Sequence, residues 1–349
     1  MSYNRWTLVA LAGFLLAAPA NAQVSGTADP LFKSLDVVAV RLVAPLDTIL
    51  SNREENEQFE GKLLYVNEAG AETELDVEIR TRGRYRRQKD VCTFPPLRLN
   101  FKKSQTDGTL FDKQDKLKLV THCRDRSERY EQALLREHLA YRILNQLTDI
   151  SFRVRLLRIT YEDTDAGKPP REAYGFVVEH KDRLEKRTGL KVLEIEGTDV
   201  QALQPRYLNL VSVFHFLIGN TDFSPIAGAK EACCHNHILF GRDGELAYSV
   251  PYDFDQAGLV NAPYAEPNPR FKLRSVRQRL YRGRCRNNQL LDETLEEYRQ
   301  QRAAILQLPE EQIGLADSTR QALGKYLEQF YAIIDSPKSV NRKLVRKCI

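Results

Sequence analysis

Four side chains stand in an order that suits phosphoryl transfer. Asp222 closes the run Gly219-Asn220-Thr221-Asp222, Asn236 follows, and Asp253 and Asp255 lie in Val250-Pro251-Tyr252-Asp253-Phe254-Asp255. Phosphoryl transfer asks little covalent chemistry of a protein. It needs a carboxylate to orient or deprotonate the acceptor and oxygen ligands to hold magnesium on the phosphates. Asp222 is the expected base. Magnesium takes hard oxygen donors and keeps several waters, so one amide and one or two carboxylates suffice. Asn236 with Asp253, or with Asp255 as the alternative, supplies them. Singly, each of these residues is an ordinary cap or turn former; their joint order is the informative feature.

The elements around them fit such a task. Residues 208–218 are nearly all apolar and predict a buried helix that ends near Gly219, a helix-stop signal that starts the loop at Asn220. Residues 237–240 and 246–250 flank Gly241-Arg242-Asp243-Gly244 and predict a hairpin that leaves Asp253 just past a strand end. Upstream, the alternating strand Lys116-Leu117-Lys118-Leu119-Val120 precedes a helix from Ser127 to Leu147, whose leucines recur at helical spacing. Kinase-like sites pair a strand lysine with a glutamate on the next helix, and Lys118 with Glu137 fits that pair. Arg98 and Lys102 are alternative cations. Gly83, inside the basic run from Arg80 to Lys89, marks a loop able to close over phosphates or to stand as a solvated turn. Strands are expected at 75–79, 97–101, 154–161 and 174–179, with backbone groups near Glu179 facing an adenine.

Several short motifs give the chain a family likeness. The loop Gly219-Asn220-Thr221-Asp222 with Asn236 resembles that of HipA-type kinases. Over roughly residues 75–260 the chain resembles the CotH family of atypical protein kinases. The likeness rests on Thr81-Arg82-Gly83, the basic strand Pro96 to Lys103, Asp125-Arg126-Ser127, Arg136-Glu137-His138-Leu139-Ala140 and Pro251-Tyr252-Asp253-Phe254-Asp255. The chain departs from that pattern at Asn100, where a lysine is usual, and at Tyr252, where tryptophan is commoner. The resemblance implies an α+β, two-lobed protein-kinase-like fold, with an antiparallel sheet lobe carrying one helix (23–180) and a mainly helical catalytic lobe (181–349). It also implies ATP and Mg²⁺ or Mn²⁺ as cofactors and a protein or other envelope acceptor. A pseudokinase or cell-envelope binding module without turnover is the second class the sequence allows.

Composition bounds the rest. The chain has 349 residues, 42% hydrophobic and 28% charged, enough for a full core in one or two lobes. Its net charge of +5 is modest and its basic residues are interleaved with acids, so charge alone does not argue for nucleic acid. Arg5, an apolar run to Ala18 and Ala20-Asn21-Ala22 have the layout of an export signal over 1–22, and no other segment reads as transmembrane. The six cysteines suit disulfides in an exported chain, with fifteen possible pairings. A zinc site from Cys233, Cys234, His235 and His237 is the competing idea, and His215 reads as a packed core residue. No Gly-x-Ser-x-Gly elbow or Walker-type phosphate loop is present, which removes support for serine hydrolase and P-loop readings.

Overall fold

The computed structural model describes residues 28–53, 57–228 and 233–349. The export-signal reading over 1–22 lies outside them. The first part of the chain is a sheet closed on itself. Its strands are β1 (Val38–Ala44), β2 (Phe59–Val66), β3 (Glu72–Thr81), β4 (Leu97–Phe101), β5 (Lys116–Val120), β6 (Val154–Asp163) and β7 (Arg171–Val178). They form a seven-stranded barrel in the order β1-β2-β3-β4-β5-β7-β6. Neighbours are antiparallel except where β1 runs parallel to β6, with Val38 opposite Leu157 and Ala44 opposite Asp163. The expected purely antiparallel lobe is corrected at that seam. Closure pairs what would otherwise be two exposed sheet edges.

Alternation explains the barrel core. On β3, Leu75, Val77 and Ile79 point inward while Glu74, Asp76 and Glu78 point out, and Leu63, Leu97, Leu99, Leu117 and Leu119 meet them inside. β6 and β7 are apolar on both faces because each serves two cores. Leu157, Ile159 and Val177 fill the barrel, whereas Val154, Leu156, Phe176 and Val178 pack under the helix α3.

Two short helices, α1 (Leu46–Ser51) and α2 (Lys103–Thr106), decorate the barrel, and α3 (Glu128–Leu147) follows β5 as expected. The helix α3 belongs to the core of the second lobe. That lobe contains α4 (Lys181–Thr188), β8 (Lys191–Val192), α5 (Pro205–Ile218), the hairpin β9 (His237–Gly241) and β10 (Tyr248–Pro251), and α6 (Leu291–Gln300), α7 (Arg302–Glu311), α8 (Asp317–Ile334) and α9 (Pro337–Lys343). Gln132 of α3 donates to Gly314 O and accepts from Ala316 N, which ties the first lobe's helix to the connection between α7 and α8. The apolar stripes Leu291, Leu295, Tyr298 and Leu323, Leu327, Phe330, Ile334 are buried against α5. The hairpin's second strand starts at Tyr248 rather than at Leu246, whose side chain is exposed.

Three disulfides join Cys92 to Cys123, Cys233 to Cys234 and Cys285 to Cys348. Among the described residues, no helix is long and apolar enough to cross a membrane.

Candidate functional site

A cleft of about 700 Å³ lies between the lobes. The loop from β3 to β4 brings Arg82, Gly83, Arg84, Tyr85 and Arg86 to it, and β5 contributes Lys118. The second lobe adds Asp222, Asn236, Tyr252, Asp253 and Asp255, with the Pro-rich loop at 264–269 along another wall. Tyr85 and Tyr264 touch edge to face across it, with ring centroids 6.1 Å apart. Gly83 has φ +91°, and nothing lies within 4 Å of where a Cβ would stand, so its backbone takes a turn that other residues resist while facing open space.

The helix α5 delivers the loop bearing Asp222. Pro205 opens the helix, Gln204 accepts a hydrogen bond from Tyr207 N, and Gly219 closes it in the left-handed conformation at φ +67°. The loop beyond is held by a buried polar chain whose proton positions follow from its ends. Ser249 Oγ donates to Pro225 O (2.9 Å), so it accepts from His237 Nδ1 (2.9 Å). His237 Nε2 then accepts from His215 Nε2–H (3.0 Å), and His215 Nδ1 accepts from Asn220 Nδ2 (3.2 Å). Asn220 Oδ1 in turn accepts the N–H of Asp222 (2.9 Å). An added proton would set two donors face to face. Burial acts in the same direction, holding His237 down to about 3 and His215 well below the usual imidazole range. His215, read as a core residue, is therefore also a strut for Asp222.

The Asp222 carboxylate is partly exposed. Oδ1 lies 2.8 Å from His235 Nε2, and Oδ2 accepts from Asn236 Nδ2 at 3.1 Å. The hydrogen bond to Asp222 raises the His235 pKa. Asn236 spends its amide hydrogens on Asp222, leaving its oxygen as the group a cation would meet. Both Asn236 (φ 55°) and Asp253 (φ 62°) have left-handed backbones. Such conformations cluster where function holds a side chain in place.

Arg86 is the centre of the site, and the sequence reading did not single it out. Its Nη1 binds Glu137 Oε2 (3.1 Å), its Nη2 binds Asp253 Oδ1 (2.8 Å) and its Nε lies 3.2 Å from Asp255 Oδ2. The helix α3 supports the arrangement twice from one face. Glu137 meets Arg86, and Tyr141, one turn later, accepts from Asp253 N at 2.8 Å. One guanidinium cannot balance three carboxyls. Burial, reinforced by neighbouring acids, raises Glu137 and pushes Asp255 up to about 8, with Arg86 opposing. Glu137 Oε1 is buried with no hydrogen-bond partner among the described residues.

The expected pairing of Lys118 with Glu137 is corrected, because Arg86 takes the glutamate. Lys118 instead stands with its Nζ 4.6 Å over the Tyr252 ring. Burial, with Arg82 and Arg98 nearby, brings its pKa down to about 7, against the pull of Asp253. Arg98 is opposite Lys118 on β4 but does not line the cleft. Glu179 is also away from it. Its carboxylate is buried against Arg187 (2.9 Å) and its N–H donates to Arg153 O (2.9 Å), so that amide is committed to the barrel and not to an adenine.

Among the described residues, no group of three or more His, Cys, Asp or Glu side chains is gathered closely enough to hold a metal ion. The zinc alternative fails separately, because Cys233 and Cys234 are bonded to each other and His237 is spent on His215 and Ser249. No protein-family model matches the chain, and no curated protein matches it.

Proposed function

We propose that the protein is an exported, kinase-like phosphotransferase that moves a phosphoryl group from a metal-bound nucleotide to a protein or other envelope acceptor. The observation that carries this reading is the convergence, on one cleft, of Asp222, Asn236, Asp253, Asp255, Lys118 and the Gly83 loop from separate stretches of chain. The donor set fits magnesium or manganese at the level of chemistry. Asp253 and the Asn236 oxygen are hard donors, and two protein ligands suffice for an ion that keeps waters and phosphate oxygens. Bound there, the ion would neutralise charge on the phosphates.

The protein's own groups would do the rest. Lys118, poised near neutrality in its buried setting, becomes fully charged when an anionic phosphate approaches, and so serves as the phosphate cation. The basic Gly83 loop covers the same end of the cleft. Asp222 orients the acceptor hydroxyl and takes its proton, while His235 and Asn236 hold the carboxylate in position. Glu137 acts through Arg86 as a positioning residue.

A second reading, a pseudokinase or binding module, draws on one observation: Arg86 Nη2 already occupies Asp253 Oδ1. It expects nucleotide binding without transfer. The discriminating experiment incubates mature, oxidised protein with γ-labelled ATP, magnesium and an envelope-protein extract. Asp222→Ala and Asp253→Ala should retain wild-type circular dichroism and lose label transfer. Transfer retained in both variants would remove the phosphotransferase reading.

A further inference from the structure

A second cavity, of about 540 Å³, adjoins the cleft at Asp222, His235 and Asn268. Its remaining walls include Phe223, Phe271, Arg270 and Arg282. We propose that this cavity is an acceptor subsite for a hydroxyl-bearing peptide segment rich in carboxylates. The proposal rests on the phosphotransferase reading for its chemistry, and on the cavity itself for its selectivity.

Charge decides the ligand class. Among the described residues that line it, Asp222 is the one acid, and it is already paired with His235. Against it stand two arginines. Arg282 is built into the wall: its guanidinium lies 4.5 Å over Phe223 and 4.9 Å over Phe271, and Nη1 donates to Thr221 O (3.1 Å) and Phe223 O (2.7 Å). Its Nε is buried without a partner among the described residues. Arg270 is exposed at the rim. Burial first, and then the neighbouring Arg284 and Arg270, lower the Arg282 pKa to about 10, against the pull of Asp222. Planar guanidinium groups match carboxylates, and such charge-assisted contacts are stronger than neutral ones.

The position suits the reaction. A hydroxyl beside a carboxylate held by Arg270 and Arg282 would reach Asp222 at the border of the two cavities. Its proton passes to the Asp222 carboxylate, its oxygen bonds to the γ-phosphorus, and the bond from that phosphorus to the bridging oxygen breaks, with the electron pair leaving on ADP.

The test uses fluorescein-labelled Glu-Glu-Ser-Glu-Glu and Lys-Lys-Ser-Lys-Lys peptides with the intact, oxidised protein. Binding is first read by anisotropy without nucleotide. The acidic peptide should bind, the basic one should not, and Arg270→Glu should weaken binding by about tenfold or more. Arg282→Gln should weaken it as well; if that variant fails to fold, Arg270→Glu still decides. Equal binding of both peptides, no binding of the acidic one, or indifference to Arg270→Glu would overturn the proposal. Competition by inorganic phosphate alone that abolishes peptide selectivity would reassign the cavity to free phosphate. Adding magnesium and ATP then separates the two claims. Acidic peptide bound but never phosphorylated contradicts the phosphotransferase reading and leaves the subsite, whereas preferential phosphorylation of the basic peptide contradicts the subsite and leaves that reading.

Discussion

At the scale of single residues, the charge ledger around Arg86 sets the expectations. Removing a buried cation leaves its carboxyl partners desolvated and unpaired, which typically costs about 3–5 kcal/mol. Arg86→Met should therefore lower the unfolding free energy by about that amount in urea titrations at neutral pH, and the loss should shrink in acid as Glu137 protonates. A near-silent Arg86→Met would contradict the arrangement. The buried imidazoles give a pH dependence of opposite sign. His237, held down to about 3, and His215, also lowered, bind protons more readily unfolded than folded. Their contribution is complete above the unfolded imidazole pKa and is lost as pH falls below it, by about 1.4 kcal/mol per pH unit for each group. Replacing His237 with Gln should flatten the fall in urea midpoint between pH 6.5 and 4.5; an unchanged slope would show that the pair is not the neutral chain described. Arg86 itself was hidden in the sequence. It is one of six basic residues between Arg80 and Lys89, and nothing local distinguishes the one that turns inward onto acids more than fifty residues away.

At the scale of elements, Gly219 and the disulfides carry the sharpest expectations. Gly219 ends α5 with a positive φ, and a Cβ there would stand 2.2 Å from the Tyr326 hydroxyl. Gly219→Ala should cost about 1–3 kcal/mol from backbone strain alone, and it should also displace Asn220 and so weaken nucleotide binding. Thermal melts with and without magnesium and ATP would read both effects. The bond from Cys285 to Cys348 closes a sequence separation of 63 residues. Chain entropy puts its stabilisation at about 4 kcal/mol, so the double serine variant should lose roughly that in urea. The helices were legible because apolar spacing is a local property: α3 and α5 lie where residues 127–147 and 208–218 placed them, apart from a start at Pro205. The pairing of Lys118 was not. Lys118 and Arg98 are cross-strand neighbours, and which cation reaches Glu137 depends on how the loop after β3 folds back.

At the scale of the whole molecule, the two-part α+β arrangement follows from the change from alternating to helical periodicity along the chain. Barrel closure could not be read that way. It depends on β1 meeting β6 across more than a hundred residues, and parallel pairing leaves no hairpin signal between the partners. The order Asp222, Asn236, Asp253, Asp255 was visible in the sequence, and the hairpin between Asn236 and Asp253 is what folds those residues into one wall of a cleft. The other wall, where Arg86 crosses between lobes, is a product of tertiary structure alone. The proposed phosphotransferase activity requires a metal-nucleotide in this cleft. It is tested most directly by a thermal-shift titration of the oxidised protein with ATP and magnesium, run beside Asp253→Ala. A ligand that binds only the folded state adds about 2.7 kcal/mol at a hundredfold excess over Kd. The melting temperature should climb with magnesium and ATP together in the wild type and stay level in Asp253→Ala. No climb in the wild type, or an equal climb in the variant, would contradict the proposed activity.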